Sequence, residues 1–172
     1  RGGTVGTLLN DDGVVVVDSQ FADSAEVLVA GLRERSGRSQ VDLLVNTHHH
    51  GDHVGGNGVL RPITTTRVAH AMAVEHLRNP PAGSPADAAL VPEVTFDEAW
   101  TGSVGDEQVV ARHHGRAHTS GDAVVTFEEA NVAHMGDLMF HRRHPVVDGA
   151  AGRAALAVAL AVEAACLSDP ST

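Results

Sequence analysis

Apolar residues recur along this chain with two different spacings, and the switches between them mark out its elements. "TVGTLL" (Thr4 to Leu9) and "VVVVD" (Val14 to Asp18) flank the turn signal "NDDG", which predicts a hairpin. From Ser24, "SAEVLVAGLRERSG" has the 3.6-residue apolar spacing of a helix, with Ser24 or Asp23 as N-cap and Gly37 as the stop. "VDLLVNT" (Val41 to Thr47) is an apolar run of strand length, predicted to be covered on both faces. "ITTT" (Ile63 to Thr66) reads as a further strand, and "VAHAMAVEHLRN" (Val68 to Asn79) as a helix. "PPAGSPADAALVP" (Pro80 to Pro92) predicts an irregular segment, either a lid or a plain connector. Four strand-like runs follow: "EVTF", "EQVVARHH" (Glu107 to His114), "DAVVTF" (Asp122 to Phe127) and "ANVAHM" (Ala130 to Met135). A last helix is predicted from about Gly152 to Leu167. Strands and helices in this order predict an α/β layered sandwich.

Composition narrows the class. A chain of 172 residues with 42% apolar content has room for one domain with a hydrophobic core. All 12 basic residues are arginine, and 22 acidic residues bring the net charge to -10, which disfavours a phosphate-tracking nucleic-acid surface. The longest apolar run, Ala154 to Leu167, is interrupted by Glu163 and is too short to span a bilayer. A single Cys166 cannot form an internal disulfide, which leaves both cytoplasm and periplasm open. The chain opens at Arg1 without a methionine or a signal-peptide pattern, so it is expected to begin inside a larger protein. The anomaly is histidine: 12 residues, seven of them in two clusters.

The denser cluster is "NTHHHGDHVGGN" (Asn46 to Asn57), directly after the predicted buried strand. His48 and His50 are two apart, so in an extended chain both imidazoles leave on one side and can reach one ion. His49 points to the opposite face. Asp52 and His53 follow where the chain turns towards a short helix near "VGGNG", and could hold a second ion. A closed structural zinc site would usually recruit thiolates, and this stretch has none. Imidazole and carboxylate ligands favour zinc, with iron or manganese as alternatives.

This stretch resembles a known family. "THHHGDHVGG" (Thr47 to Gly56) is similar to the signature loop of the metallo-β-lactamase superfamily of metallo-hydrolases. "GRAHTSGD" (Gly115 to Asp122) and "HMGDLMF" (His134 to Phe140) resemble two later segments of that family, in the same order. The resemblance implies a four-layer αβ/βα sandwich over residues 1–172, with the metals at one edge of two sheets. It implies that His48, His50 and His118 hold a first zinc, that Asp52 and His53 hold a second, and that Asp137 bridges both. Zinc charge would let a held water ionise near pH ~7 rather than ~16 and attack a carbonyl carbon. Asp52 would orient that water and help protonate the leaving group, with Asp137 as the second catalytic carboxylate.

Two departures matter. The family's further histidine, which completes the second zinc site, has no counterpart after His144, and the opening strands expected before Arg1 are missing. The expectation is a truncated domain; the alternative is a homo-oligomer whose second subunit completes the fold. Asp137 stands where efficient β-lactamases of the family generally carry cysteine or serine, which points to thioesters, lactones or phosphodiesters, with weak β-lactam hydrolysis still open. The resulting expectation is a zinc-dependent hydrolase of small-molecule ester, lactone, thioester or amide bonds. An iron-dependent persulfide dioxygenase and a catalytically inactive, metal-stabilised binding module are the alternatives. "HRRH" (His141 to His144) is a candidate anion contact or a solvated loop, His134 is expected to be structural, His70 and His76 to lie on a helix surface, and Trp100 to pack in the core.

Overall fold

A computed structural model describes residues 2–140. The predicted final helix and "HRRH" lie outside the described residues. The chain opens with β1 (Gly6–Leu9) and β2 (Val14–Val17), antiparallel, with Gly6 opposite Val17. Between them the Asn10 side chain accepts from the backbone N–H groups of Asp12 (3.0 Å) and Gly13 (2.8 Å), the local bonding that suits Asn to turns.

Helix α1 (Ala22–Ser36) begins earlier than the polar residues suggest. Phe21 occupies the cap position, while Asp23 sits in the first turn and accepts from the Ser24 N–H. Its end is as expected: Gly37 adopts φ 67° and its N–H donates to the Arg33 carbonyl. Strands β3 (Val41–Asn46), β4 (Thr64–His70) and β5 (Val94–Phe96) then join β2 in parallel, giving the order β1-β2-β3-β4-β5. β4 runs through His70, so Val68 to His70, read above as helix, are strand. Helix α4 (Ala71–Arg78) starts immediately after, because the His70 side chain caps it by accepting from the Met72 N–H. Two short helices, α2 (Gly51–Val54) and α3 (Asn57–Leu60), lie between β3 and β4.

The second sheet contains β6 (Ala99–Val104), β7 (Glu107–Arg112), β8 (Val124–Phe127) and β9 (Val132–His134), antiparallel in chain order. β6 was not anticipated. The main core fills the space between the sheets: Val15, Val17, Leu43, Val45 and Val68 meet Val109, Ala111, Val125 and Phe127. On the far face of the first sheet, Val14, Val16 and Leu44 pack against Val29 and Leu32 of α1 and Leu60 of α3. Val14 to Val17 are thus buried on alternating sides, which explains an unbroken valine run; each such side chain contributes about 1.5–3 kcal/mol. Trp100 packs against the inter-sheet core. The architecture is the α/β sandwich expected, with three layers among the described residues.

Residues 80–92 contain no helix or strand, but they are tied down. Asn57 Nδ2 donates to the Leu90 carbonyl (2.7 Å) and Arg61 Nη1 to the Ala88 carbonyl (2.7 Å). Of the two alternatives for this stretch, an anchored connector fits better than a lid.

Candidate metal centre

The parallel strands β2, β3 and β4 end on one edge, the usual position for ligand-binding groups in sheets of this kind. β2 delivers Asp18 there and β3 delivers Asn46, Thr47 and His48. The β7–β8 loop brings His118 to the same edge, and the turn after β9 brings Asp137. The second sheet is stitched to the first by Ala123 N–H, which donates to the Thr47 carbonyl (2.8 Å). Gly136, at φ 51°, closes against the same residue: a Cβ there would lie 2.5 Å from Thr47 Oγ1, so the close approach needs glycine. The His118 loop is braced from within. Asp122 accepts from Thr119 N–H and Thr119 Oγ1 (both 2.7 Å), and His113 Nδ1 bonds the Asp122 carbonyl (2.7 Å).

Three ring nitrogens converge here. His50 Nδ1 lies 3.1 Å from His48 Nε2 and 3.0 Å from His118 Nε2. A second group forms beside it from His48, His53 and Asp137, with its ligand atoms within 4.8 Å of one another. Asp137 stands between the two: one oxygen is 3.2 Å from His53 Nε2 and the other 3.5 Å from His118 Nε2. Asp52 is outermost, 3.8 Å from His53 Nε2 and a third exposed. Five of the six residues named from the sequence fall in these two adjoining groups, and Asp52 lies at their edge beside His53.

Hydrogen bonds fix which nitrogens face inward. Thr47 Oγ1 has one proton and donates it to Asp18 Oδ2 (2.7 Å), so it accepts Nδ1–H from His48 at 3.1 Å. The Nε2 lone pair of His48 is left facing His50. His53 donates Nδ1–H to the same Asp18 oxygen (2.7 Å), which turns its Nε2 towards the carboxylates. That Nε2 is buried and has no hydrogen-bond partner among the described residues. Converging lone pairs and an orphaned buried nitrogen between carboxylates are what a divalent cation satisfies, so the donor set fits a metal.

The electrostatics agree. Burial, then the neighbouring imidazoles of His53, His50 and His118, hold His48 far below the ordinary imidazole range, in the neutral form that ligates metals. His50 is lowered by burial and by His118, with Asp52 opposing. For His53 burial also works against the proton, but the Asp18 hydrogen bond and charge, then Asp137 and Asp52, outweigh it and its pKa is raised.

Asp18 was not singled out from the sequence. It is fully buried at φ 63° and accepts three bonds, the third from the Thr47 N–H at 2.8 Å. Its signal was there: a carboxylate ending an all-valine strand has no apolar reason to be buried. A second network was also missed. Asn57 bonds Asn46, Ser19 and the Leu90 carbonyl, while Ser19 and Asn46 together bond the His53 carbonyl, which fixes the α2 turn.

The remaining histidines divide. His49 points away from the cluster and stacks on His76, ring centroids 4.3 Å apart. His76 is thus half-buried in a cleft rather than on a free helix surface, because α4 packs against the His118 loop. His70 is buried at the end of β4, stacked on His113, for the same reason that β4 extends further than its pattern suggested. His134 is structural, contacting the Thr4 carbonyl at 3.2 Å.

A two-sheet α/β sandwich with a histidine–aspartate centre at one sheet edge defines a metal-centre protein of layered type. The chain matches the metallo-beta-lactamase superfamily over residues 1–165 and belongs to it. It is 36% identical over 141 residues to a hydroxyacylglutathione hydrolase of Cereibacter sphaeroides, covering 78% of this chain and 50% of that protein. The chain thus spans about half the length of the curated relative it matches. The fold is shared with a metallo-beta-lactamase from Pontibacter korlensis at TM-score 0.76 and 19% identity, over 91% of this chain and 72% of that one. MIM-1, a metallo-beta-lactamase from Novosphingobium pentaromativorans, is 26% identical at TM-score 0.59, over 78% of this chain and 54% of its own.

Proposed function

We propose that this centre is a zinc-dependent hydrolase site acting on the carbonyl of a small-molecule ester, lactone, thioester or amide. The observation that carries it is the convergence of His48 Nε2, His50 Nδ1 and His118 Nε2, with His53 and Asp137 alongside. A zinc ion held there would supply Lewis acidity and bring the ionisation of a water down to near neutral pH. His48, His50 and His118 would hold the first ion, and imidazole ligands bring no negative charge to offset it. His53 and Asp137, with Asp52, would hold the second, Asp137 turning one oxygen towards His53 and the other towards His118. Asp18 keeps His53 oriented by taking its Nδ1 proton. Asp52, the most exposed of these carboxylates, orients the attacking water and carries a proton to the leaving group.

Acyl transfer to water is favoured over the other chemistries of the family by the hydroxyacylglutathione hydrolase relative, whose name sets its substrate as an acylglutathione. The test is a panel of thioesters, lactones, phosphodiesters and β-lactams with zinc-reconstituted full-length protein. Turnover of a carbonyl substrate that stops on chelation and returns with zinc is expected. Absence of turnover on all carbonyl substrates would overturn the proposal.

A further inference from the structure

The three histidines of the first metal group come from two loops far apart in the chain. His48 and His50 follow β3, and His118 lies between β7 and β8. Ligands to one ion must be held within about 0.5 Å of their working positions, by residues that are themselves fixed. Helix α4 touches both loops, although it supplies no member of either metal group.

On one side, the His76 ring of α4 stacks on His49, with centroids 4.3 Å apart and an interplanar angle of 22°. His49 sits in the chain between the ligands His48 and His50. On the other side, His76 Nε2 is hydrogen-bonded to Ser120 Oγ at 2.8 Å, two residues beyond His118. Next to that bond the backbones meet: a Cβ on Gly121 would lie 2.5 Å from Ala73 N, in the first turn of α4. The helix is itself tied down, since His70 caps it and Ala73 and Val74 pack with Ala69 and Val91. The other braces of the His118 loop are separate from this contact. Asp122 bonds Thr119, and the Ala123 N–H bonds the Thr47 carbonyl; neither involves Ser120 or His49.

We infer that His76 is a positioning residue for the metal centre. Its one ring, stacked on His49 and bonded to Ser120, spans the two ligand-bearing loops and holds His118 within reach of the ion that His48 and His50 bind. The inference rests on the metal-centre reading and not on hydrolysis. It makes α4 part of the site without giving it a ligand.

Zinc affinity of the full-length protein, measured by competition with a chromophoric chelator, tests this. His76→Phe keeps a ring against His49 and loses the bond to Ser120, and Ser120→Ala removes the same bond from its other end. Each should lower zinc affinity about 10-fold, the low end for groups that orient metal ligands, because both act through the loop. Since they delete one shared bond, the double variant should lose no more than either single one; losses that multiply would overturn the inference. His76→Gln, whose amide can donate or accept, should keep most of the wild-type affinity. Val74→Ala is the control: it loosens the packing of α4, leaves the bond in place, and should lower stability with zinc affinity unchanged. Unchanged affinity in both His76→Phe and Ser120→Ala, or an equal loss in Val74→Ala, would overturn the inference. Amide hydrogen exchange of residues 117–121 in the metal-free protein gives a second reading. It should rise in His76→Phe and Ser120→Ala but not in His76→Gln; exchange alike in all of them overturns the inference. The expected exchange pattern in a protein that binds no zinc would sink the metal centre and leave His76 as the link between the two loops.

Discussion

Asp18→Asn is the substitution that most sharply separates scaffold from metal centre. Asparagine has the same size and is among the residues that tolerate a positive φ, so the backbone at 63° is not further strained. The carboxylate accepts from Thr47 N–H through one oxygen, and from Thr47 Oγ1 and His53 Nδ1 through the other. An amide replaces one oxygen by an NH2 group, so a donor must face a donor on one side or the other. Losing a buried bond to a charged acceptor costs about 1.5–3 kcal/mol, which sets the expected fall in unfolding free energy of the metal-free protein. The larger consequence is local. His53 loses the charge that fixes its tautomer and basicity, and zinc affinity should drop roughly 10- to 100-fold, as for other groups that orient a metal-bound histidine. Chemical denaturation of apo protein reads the first effect, and competition with a chromophoric chelator reads the second. Unchanged zinc affinity beside a clear stability loss would refute the assigned role of Asp18.

Other substitutions probe the framework. Asn57→Ala removes its bonds to Ser19, Asn46 and the half-buried Leu90 carbonyl, takes the donor from the buried Asn46 Oδ1, and should cost on the order of 2–4 kcal/mol by urea denaturation; a loss below that of an ordinary surface change would show that water replaces the network. His70 is lowered by burial and by its neighbour His113, and its neutral Nδ1 caps α4. A histidine with a depressed folded pKa contributes stability that is full above its unfolded value of ~6.5 and is lost progressively as pH falls from there through the folded pKa. Below about pH 6.5 wild type should therefore lose stability more steeply than His70→Asn, which still caps; parallel slopes would contradict the assignment. Gly136→Ala should lower both stability and zinc content, since its Cβ would press on Thr47 Oγ1 at a left-handed backbone position; unchanged zinc content by elemental analysis would count against the close approach.

The centre was legible in the sequence because its chemistry is dense: four imidazoles and a carboxylate in six positions have few structural uses. The strands around it were legible where valine runs leave no alternative. Legibility failed where two periods compete. "RVAHAMAV" carries apolar residues at both spacings, and the tertiary environment decides: Val68 and Ala69 are fully buried between β3 and β5, so the chain stays extended until His70 caps α4. β6 escaped because its half-buried face consists of Trp100, Gly102 and Val104, with polar residues between, and glycine weakens a strand pattern. Asp18 and Asn57 were missed for a different reason. Each is a lone polar residue, and what makes it matter is a partner 29 or more positions away, on a neighbouring element.

The most direct test is anomalous diffraction at the zinc edge from crystals of zinc-loaded protein. A peak about 2.0–2.1 Å from ring nitrogens of His48, His50 and His118 is expected. A peak bound elsewhere, or none at saturating zinc, would contradict the metal centre on which the proposed chemistry depends.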